Sequence, residues 1–164
     1  MVSFPRKLSQ DEWSLTHFSD IPETLQDKIL IWRNDPRIRR WMTSRRKIKK
    51  EEHAAFLTSL VDAEDRAYYL VRKETSPVGV VSLTTVDFAD GSASIGLYKN
   101  PDTQERGVGP IFVILLERLA AELGLRSLRL EVVRRNSRAV ELYTNSGYRT
   151  RHASRRWLRM EKDL

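Results

Sequence analysis

The chain has 164 residues, 40% of them hydrophobic, enough to build a core in one domain of ordinary size spanning 1–164. Cysteine is absent, which excludes disulfides, thiolate metal sites and cysteine nucleophiles together. The formal charge of +7 fits a nucleic-acid partner, an anionic small ligand, or a basic surface with no specific partner. No run reaches the roughly 18 apolar residues of a membrane span. Met1 to Glu12 lacks the apolar segment of a secretory signal, so the expected location is the cytoplasm.

Read in chain order, Glu12 to Phe18 suits a first short strand. Pro22 opens a helical pattern carried by Leu25, Ile29, Leu30 and Trp32, and Asn34-Asp35-Pro36 breaks it. A short turn or helix over Arg37–Met42 and a basic loop over Arg45–Lys50 follow. Glu51–Val61 reads as a helix offering Ala54, Phe56, Leu57 and Leu60 to a core. The period then changes. Ala67–Arg72, Val78–Asp87 and Ser92–Tyr98 read as strands of an antiparallel meander, with turns at Thr75-Ser76-Pro77 and Ala89-Asp90-Gly91.

The strongest helix follows, with Phe112, Leu115, Leu116, Leu119, Ala120 and Leu123 on one face and Gly124 to end it. Leu128, Leu130 and Val132 alternate with Arg129, Glu131 and Val133 as a strand. Ser137–Asn145 is a short helix ending at Gly147, and two strands, from Tyr148 onward and over Arg155–Glu161, complete the order. The last could close the sheet or pair with a second subunit. The expected class is α/β (α+β), a central mixed, mostly antiparallel sheet of about seven strands with helices on both faces.

Chemistry concentrates in Gln104-Glu105-Arg106-Gly107-Val108-Gly109-Pro110, directly before the strongest helix. Glycines permit a sharp turn and close backbone approach, and free N–H groups at a helix start can cradle phosphate oxygens. The loop is neither a Walker loop nor Gly-x-Gly-x-x-Gly, since position 112 is Phe112. It could also simply start a helix. Downstream stands Asn136-Ser137-Arg138-Ala139-Val140-Glu141-Leu142-Tyr143, then Ser146-Gly147-Tyr148.

Gln-x-x-Gly-x-Gly before a helix, then a strand, then Asn-x-x-Ala-x-x-Leu-Tyr-x-x-x-Gly-Tyr, resembles the GNAT superfamily of N-acetyltransferases. The resemblance implies acetyl-CoA as co-substrate, bound through Gln104, Arg106, Gly107, Val108, Gly109 and Asn136. It also implies a slot for the pantetheine arm, where the strand before the loop splays from the strand after the helix. Trp32-Arg33-Asn34-Asp35-Pro36, Glu51-Glu52-His53 and Gly96-Leu97-Tyr98 are similar to the sugar-nucleotide acetyltransferases of pseudaminic acid biosynthesis. Those enzymes acetylate the 4-amino group of UDP-4-amino-4,6-dideoxy-N-acetyl-β-L-altrosamine, a precursor for flagellin glycosylation. That similarity implies a UDP-amino-sugar acceptor held by Arg33, His53, Thr84, Thr85 and Tyr98, and a homodimer. Thr85 stands where the family often carries a basic residue; Arg45, Arg46 and Lys47 could compensate.

Amide formation from a thioester needs a neutral amine, a stabilised carbonyl oxygen and a thiolate that can leave. Tyr143 is expected as the thiolate's acid, because a phenol near pKa 10 keeps its proton at neutral pH. Glu131 is expected as the base, directly or through water; otherwise it is a solvent-facing residue paired with Arg129 or Arg134. Ser82 and Thr84 share a strand face by parity, with Ser82 nearer the amine. His17, His53 and His152 make no metal-ligand spacing, and no Gly-x-Ser-x-Gly elbow exists. Other acceptors, a protein N-terminus or a small amine, fit the same coenzyme motif. A basic nucleic-acid-binding module without catalysis rests on charge alone.

Overall fold

A computed structural model describes residues 3–164. The elements run β1 (Lys7–Gln10), β2 (Trp13–His17), a single 3-10 turn (Phe18–Asp20), α1 (Glu23–Asn34), α2 (Pro36–Arg39), α3 (Lys50–Ser59), β3 (Ala67–Lys73), β4 (Ser76–Asp87), β5 (Ser92–Lys99), α4 (Val108–Glu122), β6 (Ser127–Val133), α5 (Ser137–Asn145), β7 (Arg149–Ala153) and β8 (Trp157–Asp163). The strands form one sheet in the order β1-β2-β3-β4-β5-β6-β8-β7. Every pair is antiparallel except β5–β6.

Two differences from the sequence expectation stand out. The sheet has eight strands, because a hairpin with Asp11 at φ 53 adds β1 ahead of the predicted first strand. Only Leu8 of β1 is buried, so its four residues carry too little alternation to read as a strand. The strand expected over Arg155–Glu161 is observed as β8, and it is not an edge: it pairs with β6 on one side and β7 on the other. The edge at this end of the sheet is β7, all of whose residues are solvent-facing.

The core lies on both faces of the sheet. On one face, α4 buries Phe112, Val113, Leu115, Leu116, Leu119 and Ala120 against Val81, Leu83, Ala93, Ile95, Leu128 and Leu130. Each Phe, Leu, Ile or Val among them contributes roughly 1.5–3 kcal/mol by leaving water. Gly124 ends this helix at φ +74, a left-handed value that only glycine adopts cheaply. On the other face, Ile29 and Trp32 of α1 and Leu57 of α3 cover Leu70 and Val80. In α3 the core position expected of Ala54 belongs to His53, while Ala54 is exposed.

Strand register assigns the polar residues to a face. Tyr68 pairs with Ser82, Ser82 with Gly96, Thr84 with Ser94, Ser94 with Arg129, and Glu131 with Arg159. Directly paired residues share a face, as do residues two apart along a strand. Tyr68, Ser82, Thr84, Ser94, Gly96, Tyr98, Arg129, Glu131 and Arg159 therefore all lie on the α1–α3 side.

Candidate active site

The parallel pair β5–β6 is joined only at Ser92↔Ser127, Ala93↔Leu128 and Ser94↔Arg129. Beyond Ser94 and Arg129 the two strands diverge, β5 running on to Lys99 and β6 to Val133. The facing backbone groups of these free halves lack strand partners across the gap, which makes a split in the middle of the sheet a ready place for a ligand that carries amides.

The glycine loop and α4 stand at this split. Gly107 caps α4 in the left-handed region at φ 65, and a Cβ placed there would meet nothing within 4 Å. Its backbone is thus bare toward open space. Gly109 has a different reason: a Cβ there would come within 3.0 Å of Leu142 Cδ2, so its absence lets α5 approach the first turn of α4. Gln104 and Arg106 are exposed on the loop, and Val108 is buried beneath it. Asn136 caps α5, its side chain accepting from the Ala139 amide at 3.3 Å.

One residue on from Leu142, Tyr143 is buried and meets Tyr148 edge-on at 5.9 Å between ring centres. Burial pushes the Tyr143 phenol up to about 12. Tyr143 packs in the same cluster as α4, on the face opposite Ser82 and Glu131.

On the α1–α3 face, Ser82 is buried, and its hydroxyl donates to the Gly96 carbonyl only at 3.5 Å, the limit of a hydrogen bond. A Cβ at Gly96 would come within 2.8 Å of that hydroxyl, so the bare glycine keeps the surface beside Ser82 open. Glu131 is half-exposed and accepts from Arg159 Nη2 at 2.9 Å. Its partner is the cross-strand Arg159 rather than Arg129 or Arg134, because β8 inserts beside β6. Thr84 is half-buried, and Thr85 lies in a bulge at φ 46 with its hydroxyl donating to Ser94 Oγ at 2.9 Å.

Arg33 of α1 and His53 of α3 belong to the helical cover of this face, and Tyr98 of β5 packs against that cover. Arg33 Nη1 is buried without a partner, and its Nη2 reaches the Ser44 carbonyl at 3.5 Å. Burial lowers the Arg33 pKa, offset by the nearby hydroxyls of Tyr98 and Tyr68, whose own pKa values burial raises. His53 is neither a surface residue nor free: it is 7% exposed and its Nε2 bonds the Gln26 carbonyl at 3.0 Å, tying α3 to α1. Since a carbonyl only accepts, Nε2 carries the proton. Arg45, Arg46 and Lys47 lie in the loop before α3, where Arg46 is committed to Glu52 at 2.9 Å.

Sequence reasoning assigned no site role to Tyr68 or Arg159, and met Gly96 only as part of the Gly96-Leu97-Tyr98 motif. Tyr68 is brought beside Ser82 by register and stacks edge-on against Phe56 at 4.9 Å. Cross-strand register is the signal that finds all three, and it is not visible until the strand order is known. Among the described residues no His/Asp/Glu cluster is arranged to hold a metal ion, and no helix is long and apolar enough to cross a membrane.

Among the described residues the sheet is split between its only parallel strands, with a glycine-started helix on one face and a row of polar side chains on the other, so two ligands can approach one opening from opposite sides. The chain belongs to the acetyltransferase (GNAT) domain family, whose model matches residues 16–149. Among curated relatives, acetyltransferase PseH of Campylobacter jejuni subsp. jejuni serotype O:23/36 (strain 81-176) is 30% identical over 135 residues, 82% of this chain and 83% of that protein. Its counterpart from serotype O:2 is 29% identical over the same length. Among solved structures, C. jejuni N-acetyltransferase PseH in complex with acetyl coenzyme A superposes with a TM-score of 0.77 at 23% identity, covering 93% of this chain and 99% of that one. Spermidine N-acetyltransferase from Vibrio cholerae, in complex with CoA and spermine, gives 0.82 at 17% identity over 94% and 96%. At these identities the two structures establish the fold.

Proposed function

We propose that the protein transfers the acetyl group of acetyl-CoA to the 4-amino group of a UDP-amino-sugar, the pseudaminic acid precursor, by direct attack on the thioester. The observation that carries the reading is the β5–β6 split, with Gly107 and Tyr143 on one face and Ser82 and Glu131 on the other. Donor and acceptor can then approach from opposite sides and meet where the sheet is open. The 29–30% identity to PseH supports the sugar acceptor, as does the suitability of a +7 chain for two anionic ligands.

The coenzyme pyrophosphate sits on the bare Gly107–Gly109 backbone at the start of α4, flanked by Gln104 and Arg106, and the pantetheine amides bond the free strand edges of the split. Asn136 acts indirectly, by fixing the start of the helix that carries Tyr143. The acceptor lies between Ser82, Thr84 and Tyr98, with Arg33 and Thr85 toward its nucleotide and His53 supporting α3 beneath it. Glu131, directly or through water, takes the ammonium proton. The amine nitrogen bonds the carbonyl carbon, the C–S bond breaks, and the sulfur leaves as thiolate.

Tyr143 stabilises that thiolate. With its phenol near 12 and a thiol near 8.5, full proton transfer is uphill by about three to four pKa units, or roughly 5 kcal/mol. Hydrogen-bond donation to the developing thiolate carries no such penalty. The same reading places the enzyme in the cytoplasm as one catalytic domain acting as a homodimer.

The test is thiol release from acetyl-CoA with the UDP-4-amino sugar, a peptide with a free N-terminus, and a polyamine. Turnover confined to the UDP-sugar is expected. Turnover with the peptide or polyamine alone would keep the family chemistry and remove the sugar.

A further inference from the structure

A groove of about 370 Å³ lies on the acceptor face, next to the point where β5 and β6 part. Thr85, Asp87 and Ser94 line it from β4 and β5, and Arg129, Glu131 and Arg159 from β6 and β8. We infer that this groove seats the phosphates of the acceptor, with Arg129 and Arg159 as its charged contacts. The inference deepens the UDP-amino-sugar reading and rests on it.

Three independent features point this way. The first is unspent donors. Arg129 is 43% exposed, bonds Ser92 Oγ and lies 3.6 Å from Asp90. Arg159 is 57% exposed and makes one contact, to Glu131. A guanidinium has five N–H donors, so both keep several for a ligand. The second is spacing. Arg129 pairs with Glu161 and Arg159 with Glu131, so the two arginines sit on one diagonal of β6–β8. Diagonal neighbours lie about 7–8 Å apart, within reach of one diphosphate from both sides.

The third is strain. Thr85 is β-branched, yet it holds φ 46, a region such residues avoid at a cost of order 1–3 kcal/mol. The bulge interrupts the β4–β5 ladder between Thr84 and Asp87 and sets the Thr85–Ser94 hydroxyl pair on the groove wall facing the arginines. Hydroxyls and guanidiniums bond phosphate, while Asp87 and Glu131 can accept from sugar hydroxyls or an amine. A ligand that is phosphorylated at one end and amino-substituted at the other matches both. Glu131 lines the same groove, so phosphates held here leave the amine beside the base and the split.

The test uses UDP itself, titrated by calorimetry into protein saturated with acetyl-CoA, so that coenzyme phosphates cannot occupy the groove. Arg129→Gln should weaken UDP about tenfold, the loss of one charge-assisted contact. It should raise KM for the UDP-amino sugar similarly, with KM for acetyl-CoA unchanged. KM for the same amino sugar as a methyl glycoside should not move. Arg159→Lys should retain UDP and Arg159→Gln should lose it; Arg129→Met, which keeps an aliphatic stem without the charge and should weaken UDP equally, serves if the Gln variant does not fold. UDP affinity indifferent to both arginines, or a methyl glycoside as impaired as the nucleotide sugar, overturns the inference. If the wild-type protein binds UDP through Arg129 but does not acetylate the UDP-amino sugar, the functional reading falls and the groove stands.

Discussion

Tyr143 and Gly96 exert their effects through what lies next to them. Tyr143 is one phenol in an apolar cluster, and deleting its oxygen leaves the packing of the ring intact. Tyr143→Phe should therefore lower kcat by about a hundredfold, the scale of losing one hydrogen-bond donor to developing charge, while leaving the melting temperature within a degree or two. Single-turnover acetyl transfer measured beside calorimetric melting checks both halves. Gly96→Ala makes the opposite demand. Its Cβ would fall 2.8 Å from Ser82 Oγ, the free end of a rotatable side chain, so the fold yields cheaply and the hydroxyl turns away. The expected result is a rise in acceptor KM with coenzyme KM unchanged, and a Ser82→Ala, Gly96→Ala double variant no worse than Ser82→Ala alone. Additive losses would mean that Gly96 acts by some route other than Ser82.

At the level of elements, the two glycines of the loop separate binding from packing. Gly107→Ala introduces a Cβ into open space but keeps φ 65, which costs about 1–2 kcal/mol in backbone strain and crowds the place proposed for pyrophosphate. Stability should fall modestly and KM for acetyl-CoA should rise. Gly109→Ala instead presses on Leu142, the residue before Tyr143, so α5 must shift and kcat should fall with stability. Leu142→Ala in that background should restore part of kcat.

The loop, α4, the β6 alternation and the Tyr143 helix were legible in the sequence, because each is local: a glycine pair, a 3.6-residue apolar stripe, a period of two, a short helix stopped at Gly147. What was not legible is non-local. Glu131 finds Arg159 only because β8 is threaded between β6 and β7, and Tyr68 reaches Ser82 only through the β3–β4 register. His53 looks like a polar helix position, yet Gln26 offers it a carbonyl from a different helix. Tertiary partners decided all three.

For the molecule as a whole, pH is the variable that reports on these buried partners together. His17 and His53 are both buried, and burial is the first cause that lowers both pKa values from about 6.5. Arg6 lowers His17 further, against a smaller opposing effect of Asp20; the Gln26 carbonyl and Asp27 partly offset the shift at His53. The geometry at His17 explains why the charged form is unwelcome. Its Nδ1 accepts from the Ser19 amide at 3.2 Å, with the Ser19 hydroxyl at 2.7 Å and Arg6 Nη1 at 3.4 Å, so a proton on that nitrogen would give up the amide bond and face the Arg6 charge. In the unfolded chain both rings take up protons as the pH falls through about 6.5, while in the fold they resist until lower pH. The unfolded state thus binds more protons over that window, and stability falls as the solution is acidified. Melting temperature should be level above about pH 7 and decline from roughly pH 6.5 downward, ahead of any carboxylate titration. His53→Gln, which can still donate to the Gln26 carbonyl, should flatten part of that decline at some loss of packing. If the pH dependence of melting is the same with Gln at position 53, protonation of His53 is not what weakens the fold in acid, and His17 beside Arg6 is left to account for the slope.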